Sequence, residues 1–217
     1  MAKPTAIIYV DGLNLYRQCL SGKPDLKWLD IEKLCEQLLP THEVLEIKYF
    51  SALIKEPINK PGSQLRQRIY LRALRAQIPS IKIYLGKIRV DTKRYPLVPL
   101  RFGEDGRAVT VKVQKLEEKG TDVSIASHMV LDAAQNRSSM VALISSDGDF
   151  APTIQIIGER LNVATGLISP SQHITHPLKI ANPTLTKVIR ADTLKCSQMP
   201  PLLEDSIGII RRPDTWS

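Results

Sequence analysis

The sequence predicts a doubly wound, mostly parallel α/β sheet with an added hairpin at its edge. Residues 5–10 (TAIIYV) and 140–144 (MVALI) are apolar throughout, as strands buried on both faces must be. Around them, strand-like and helix-like runs alternate, the pattern of a parallel sheet with helices on both faces.

The elements follow in order. The first strand ends at the turn signal Asp11-Gly12, and residues 14–20 start a helix. Asp30 caps the next helix, 31–39, which Pro40 stops. Residues 44–54 form the second strand; Pro57, Asn59, Pro61 and Gly62 then mark a loop. A helix over 63–77 puts Leu65, Ile69, Ala73 and Ala76 on one face, widened by Leu71, Leu74 and Ile78. Its Arg68, Arg72 and Arg75, at i, i+4, i+7, make a basic stripe: either a solvated face or a set of phosphate contacts. Residues 81–90 form a third strand. The irregular segment 91–113 holds two β-rich runs around Glu104-Asp105-Gly106, a hairpin signal. With Lys93, Arg94, Arg101, Arg107 and Lys112, it reads as a substrate-facing flap. A helix over 121–135, with Thr121 at its N-cap, a strand at 140–144, a helix over 150–161 and a strand at 162–168 complete the winding. Prolines then break the chain often. Residues 1–190 read as one domain and 191–217 as a C-terminal extension.

Composition sets bounds. The 217 residues carry a formal charge of +8 and a pI near 9.4. That balance suits a polyanionic partner without requiring one. Aromatics are only 5%, which argues against a base-stacking platform of the single-strand-binding kind. Cys19, Cys35 and Cys196 show no metal or redox spacing and fit a reduced, cytoplasmic compartment. No apolar run reaches membrane-spanning length, and the N-terminal run is too short for a signal peptide.

The chemistry lies in the acidic residues. Asp11 follows the first buried strand; Asp147 and Asp149 follow the strand at 140–144. If these strands are neighbours, their carboxylates converge outside the carboxyl ends of the sheet, where open α/β folds place their sites. Asp122 begins a helix after the basic residues Lys112, Lys115 and Lys119, and the helix dipole alone would favour it there. Two carboxylates about 4 Å apart repel by about 4 kcal/mol at an effective dielectric near 20, so a cluster calls for protons or a cation. All-oxygen donors suit Mg²⁺ or Mn²⁺, which share their coordination with phosphates. An EF-hand is excluded, because Ala151 and Pro152 stand where an oxygen ligand and the glycine belong. His173 and His176 lack the further ligands of a zinc site. His42 and His128 are ordinary, and Asp132 reads as a surface residue. There is no phosphate-binding glycine loop.

The run Ile7-Ile8-Tyr9-Val10-Asp11-Gly12-Leu13-Asn14-Leu15-Tyr16 resembles the D-G-x-N-L-Y opening of NYN domains, the PIN-like ribonucleases that include LabA-like bacterial proteins. The segment 118–123 (EKGTDV) resembles the family's K-G-x-D-V, and 144–150 (ISSDGDF) its S-G-D-x-D-F, with Ser146 where the family often has glycine. The three motifs occur in family order and the resemblance covers residues 5–170. It implies a Rossmann-like PIN fold and Mg²⁺- or Mn²⁺-dependent RNA cleavage, expected to be endonucleolytic. Asp11, Asp122, Asp147 and Asp149 take the acidic metal positions. Asn14 takes the motif asparagine, orienting a ligand or the scissile phosphate. Arg68, Arg72, Arg75, Lys112, Lys115 and Lys119 are the candidate RNA contacts. A non-catalytic PIN-like module that binds RNA or a protein is the alternative, and a homo-oligomer is left open. A phosphotransferase lacks support, because Asp11 is followed by Gly12-Leu13 and no D-x-D stands at the first strand.

Overall fold

The computed structural model describes residues 2–55 and 61–216. Pro57 and Asn59 of the expected loop lie outside them, and Pro61-Gly62 turns into the following helix. The first strand, β1 (Thr5–Asp11), leads into a short helix α1 (Gly12–Leu15) and a π-helical turn (Tyr16–Leu20), so the helix expected from residue 14 begins two residues earlier. Helix α2 (Ile31–Leu38) is capped by Asp30, whose carboxylate accepts the Lys33 N–H at 3.1 Å. Then come β2 (Glu43–Ala52), α3 (Ser63–Gln77), β3 (Ile81–Pro96), β4 (Thr110–Lys119), α4 (Thr121–Ala134) and β5 (Met140–Ile144). They are followed by α5 (Ala151–Arg160), β6 (Ala164–Ser169), α6 (His176–Ile180), β7 (Leu185–Val188), α7 (Ala191–Cys196), β8 (Leu202–Asp205) and β9 (Gly208–Arg211).

Seven strands form one sheet in the order β4-β3-β2-β1-β5-β6-β7, parallel except for the β3–β4 pair. The chain winds outward from β1 through β2 and β3, then returns to the other side of β1 at β5. That makes β1–β5 the switch point of the sheet, with Val10 opposite Ile144. Alternation explains the apolar strands. Ala6, Ile8, Val10, Met140, Ala142 and Ile144 enter the core under α2 and α3. Ile7, Tyr9, Val141 and Leu143 enter the core under α4 and α5.

Several expectations change. The hairpin is larger than 91–113: β3 runs unbroken for 16 residues, and its outer half pairs with β4 from Lys87–Lys119 to Pro96–Thr110. Cross-strand pairing carries both strands into the ends of the segment that looked irregular, as far as Pro96 and Thr110. The N-cap of α4 is Gly120 at φ +95°, a left-handed position that favours glycine, so Thr121 is the first helical residue. Leu65 is exposed; α3 buries Tyr70, Leu71, Ala73 and Leu74 instead. Residues 191–216 pack onto the α2–α3 face. Trp28 Nε1 donates to the Pro200 carbonyl at 2.7 Å, Asp30 N–H donates to the Ser197 carbonyl at 2.8 Å, and Trp216 sits edge-on to Trp28 and Tyr70.

Asp132 is buried, not on the surface. On α4 it faces β2, where Lys48 meets it in a buried ion pair, the Tyr9 hydroxyl donates to it, and Arg137 Nη1 adds a contact at 2.8 Å. Arg137 also pairs with Glu46 at 2.9 Å. A charge is tolerated in a core only when it is paired and hydrogen-bonded, and here the partners lie far away in sequence. Burial pushes the Asp132 carboxyl up, but the bonds from Lys48, Tyr9 and Arg137 outweigh it and hold the carboxyl below its ordinary range. Asp132→Asn leaves the Lys48 ammonium buried without its counter-charge and should destabilise the fold by about 3–5 kcal/mol, the usual cost of breaking a buried pair. A carboxyl with a depressed folded pKa contributes stability above its unfolded pKa and loses it below. The gap between wild type and variant in urea melts should therefore narrow as pH falls below 3.8.

Candidate active site

The carboxyl ends of β1 and β5 lie side by side, and their loops are tied together by side chains. Asp11, the last residue of β1, is 6% exposed. One oxygen accepts the Asn14 N–H at 2.9 Å, capping α1, and the other accepts the Ser145 hydroxyl at 3.2 Å. Asn14 Oδ1 accepts both the backbone N–H of Ser146, at 3.1 Å, and its hydroxyl, at 3.0 Å. Those donors fix the amide orientation and turn Asn14 Nδ2 away from Ser146. Asp147 is half-buried and accepts the Asp149 N–H at 3.0 Å, turning the chain into α5, while Asp149 is exposed. Ser146, where the resembled motif often has glycine, uses its own side chain in the staple and has no positive φ. Gly12 is required for a different reason: a Cβ there would lie 2.5 Å from the Tyr49 ring.

Asp122 stands at the exposed start of α4. Its pKa is raised to about 6, by desolvation first and then by the charges of Asp11, Asp147, Glu118 and Asp149. Asp11 is likewise raised, mainly by burial, against the hydrogen bonds from Asn14 and Ser145. Asp122 thus feels the charges of the other three predicted carboxylates, and Asp11 that of Asp147. Glu118 joins them. It caps α4 by accepting the Thr121 N–H at 3.0 Å, with the Thr121 hydroxyl bonded to the same oxygen. The signal for Glu118 was its place four residues before Asp122, within a motif already singled out. Ser145, which donates to Asp11, also lay within such a motif, whereas Arg17, whose charge bears on Asp11, carried no such signal.

Among the described residues, no three His, Cys, Asp or Glu side chains close around a single point. The donors are nonetheless hard oxygens in mutual repulsion, which a divalent cation would relieve. Mg²⁺ is usually held by only one or two carboxylates and keeps several waters, so an open acidic edge fits such an ion better than it fits zinc.

The predicted RNA contacts fare unequally. Arg68, Arg75 and Lys112 are exposed. Arg72 is held by Asp205 in a bidentate pair at 2.6 and 2.8 Å and also donates to the Gly208 carbonyl, so it is committed to pinning β8–β9 on α3. Lys115 and Lys119 share Glu117, at 2.6 and 2.7 Å, in exposed pairs of little energetic weight.

A folded-state pKa above the unfolded one means that the native protein holds its proton longer, so stability falls as pH rises between the two values. For Asp122 that window runs from 3.8 to about 6. Asp122→Asn removes the effect. Without added metal, the Tm of the variant relative to wild type should rise across this window and level off above it; a gap independent of pH would refute the shared acidic field.

The NYN domain profile matches residues 5–188. The chain is 29% identical, over 96% of its length and 74% of the relative's, to 6-hydroxy-3-succinoylpyridine 3-monooxygenase HspA of Pseudomonas putida. It also superposes on the crystal structure of a Vibrio parahaemolyticus protein of unknown function, with a TM-score of 0.53, 21% identity and 88% and 95% of the two chains covered, a likeness of fold alone. With the profile spanning β1 to β7 and the acidic edge lying inside it, the chain belongs to the NYN domain family.

Proposed function

We propose that the protein is a metal-dependent ribonuclease that hydrolyses RNA phosphodiester bonds at the edge formed by Asp11, Asp122, Asp147 and Asp149, cutting endonucleolytically in the cytoplasm. The observation that carries this reading is the gathering of these carboxylates near the sheet switch point, where desolvation first and then the charges of its neighbours raise Asp122 to about 6. A bound Mg²⁺ or Mn²⁺ would polarise the phosphodiester and lower the pKa of a water. The chain's own residues do the rest. Asp11 is fixed by Ser145 and the Asn14 N–H, so its oxygens are pre-aimed. Asn14 Nδ2, turned from the Ser146 staple, is a donor available to a phosphate oxygen. Asp122, Asp147 and Asp149 supply the remaining hard oxygens around the edge. A non-catalytic module has no use for so much unrelieved repulsion, which favours the enzyme. No helix of the described residues is long and apolar enough to cross a membrane.

The Pseudomonas putida relative, matched over nearly the whole chain, favours a second reading in which the site serves ring hydroxylation. Oxygen uptake by the purified protein with a reduced nicotinamide and 6-hydroxy-3-succinoylpyridine tests it directly.

Asp147→Asn tests the first reading. Asn keeps the acceptor that Asp147 offers to the Asp149 N–H and removes one charge. RNA cleavage with Mg²⁺ or Mn²⁺ should be lost, while the metal-free Tm is unchanged or higher. Wild-type cleavage in EDTA, or a variant that is destabilised yet cleaves normally when folded, would overturn the assignment. For the basic surface, Arg68→Ala with Arg75→Ala and Lys112→Ala should weaken RNA binding and flatten its salt dependence, by roughly 0.7 per lost phosphate contact for a single strand. Arg72→Ala should instead lower the Tm by loosening β8–β9, with the salt slope unchanged.

A further inference from the structure

A cavity of about 260 Å³ lies beside the acidic edge, between the turn after β1, the end of β2, the start of α3 and the C-terminal Trp216. We propose that it binds one flat aromatic ring bearing an anionic group, the ring among Tyr16, Tyr49, Tyr70 and Trp216 and the anion at Lys27 and Arg66. This stands on the cavity alone, whether or not the acidic edge cleaves RNA.

The walls carry the argument. Ring follows ring: the Tyr49 and Tyr70 centroids are 6.5 Å apart, and those of Tyr70 and Trp216 6.1 Å. Such rings favour a further ring stacked or edge-on among them. Two cations join them. Lys27 Nζ lies 5.7 Å from the Tyr16 centroid and 6.0 Å from that of Trp216, and Arg66 lines the wall from α3. Arg72, six residues along the same helix, is neutralised by Asp205. Neither Lys27 nor Arg66 has a carboxylate within ion-pair distance among the described residues. The Ser63 hydroxyl, also in the lining, is buried without a hydrogen-bond partner among those residues, which leaves it for a heteroatom of the ligand. Among the described residues no Asp or Glu lines the space, so it suits an anion and not a metal. Its volume falls at or below the lower end of ligand pockets, about 300 Å³, which limits the occupant to one ring and a short charged arm. A nucleotide of an RNA strand and a free aromatic carboxylate both present that chemistry.

Calorimetric titration of the full chain separates the two sources. One arm uses 5′-UMP and 5′-AMP, the other nicotinate and benzoate. Uridine and nicotinamide serve as rings without the anion, phosphate and acetate as anions without the ring. Saturable binding of one molecule per chain is expected in one arm and not with the controls. Binding of the nucleotides makes the cavity a nucleotide subsite; binding of the carboxylates makes it a small-molecule pocket. Arg66→Gln and Lys27→Gln, both at partly exposed positions and checked for an unchanged Tm, should each weaken binding about tenfold or more, the loss expected of one charge-assisted contact. Absence of binding in both arms at about 10 mM, equal binding of the neutral rings, or affinities unchanged in both folded variants would overturn the proposal. None of these readouts depends on RNA cleavage.

Discussion

The structure depends on the parallel pairing of β1 with β5. A strand paired on both edges and buried on both faces has no freedom of register, since a slip of one residue would exchange its two core faces. The register that sets Val10 against Ile144 therefore also sets Asp11 beside Ser145 and Asn14 beside Ser146. The site is polar and the strands are apolar, yet the strands decide where the polar groups stand. Hydrogen bonds between the loops then hold Asp11 in a buried position that its charge alone would not choose.

Charge is handled in two opposite ways on the same sheet. In the core between β2 and α4, Asp132 and Glu46 are matched by Lys48 and Arg137, and Lys82 closes the set at 2.8 Å from Glu46. Every anion there has a cation, so burial is tolerated. At the carboxyl edge, Asp11, Asp122, Asp147, Asp149 and Glu118 make no salt bridge among the described residues, though the Arg17 charge bears on Asp11. The fold balances carboxylates in its core and leaves them unbalanced near its switch point; in the proposed function, an arriving cation would relieve that repulsion.

What was legible in the sequence follows from how local each signal is. The strand Met140–Ile144 and the helix Ser63–Gln77 were readable to the residue, because an unbroken apolar run and a long periodic one are self-contained. The places of Asp11, Asp147 and Asp149 at the carboxyl edge were legible because each follows a buried strand; their nearness required β1 and β5 to be neighbours, which the sheet order supplies. Partnerships across long separations were not readable. Asp132 looked like a surface residue because Lys48 is 84 positions away, and Arg72 looked like part of a free stripe because Asp205 is 133 away. Elements of four to six residues, such as β7, α7, β8 and β9, are too short to show a period, so the chain after residue 170 read only as broken. The hairpin was underestimated because cross-strand hydrogen bonds between β3 and β4 leave no mark within either strand.

The Asp11-Gly12 pair shows how one turn serves two neighbouring spaces. Asp11 faces the acidic edge. Gly12, with no Cβ, lets the Tyr49 ring come within 2.5 Å of where a side chain would begin, and both residues then line the aromatic cavity. The Tyr49 hydroxyl is pushed up by burial and by the Asp11 charge, so it stays a neutral donor at the wall between the two. A larger residue at position 12 would displace that ring, and with it the shared wall. The acidic edge and the cavity are therefore two sides of a single close approach. A molecule seated among the aromatic rings lies against the same turn that carries the first of the carboxylates.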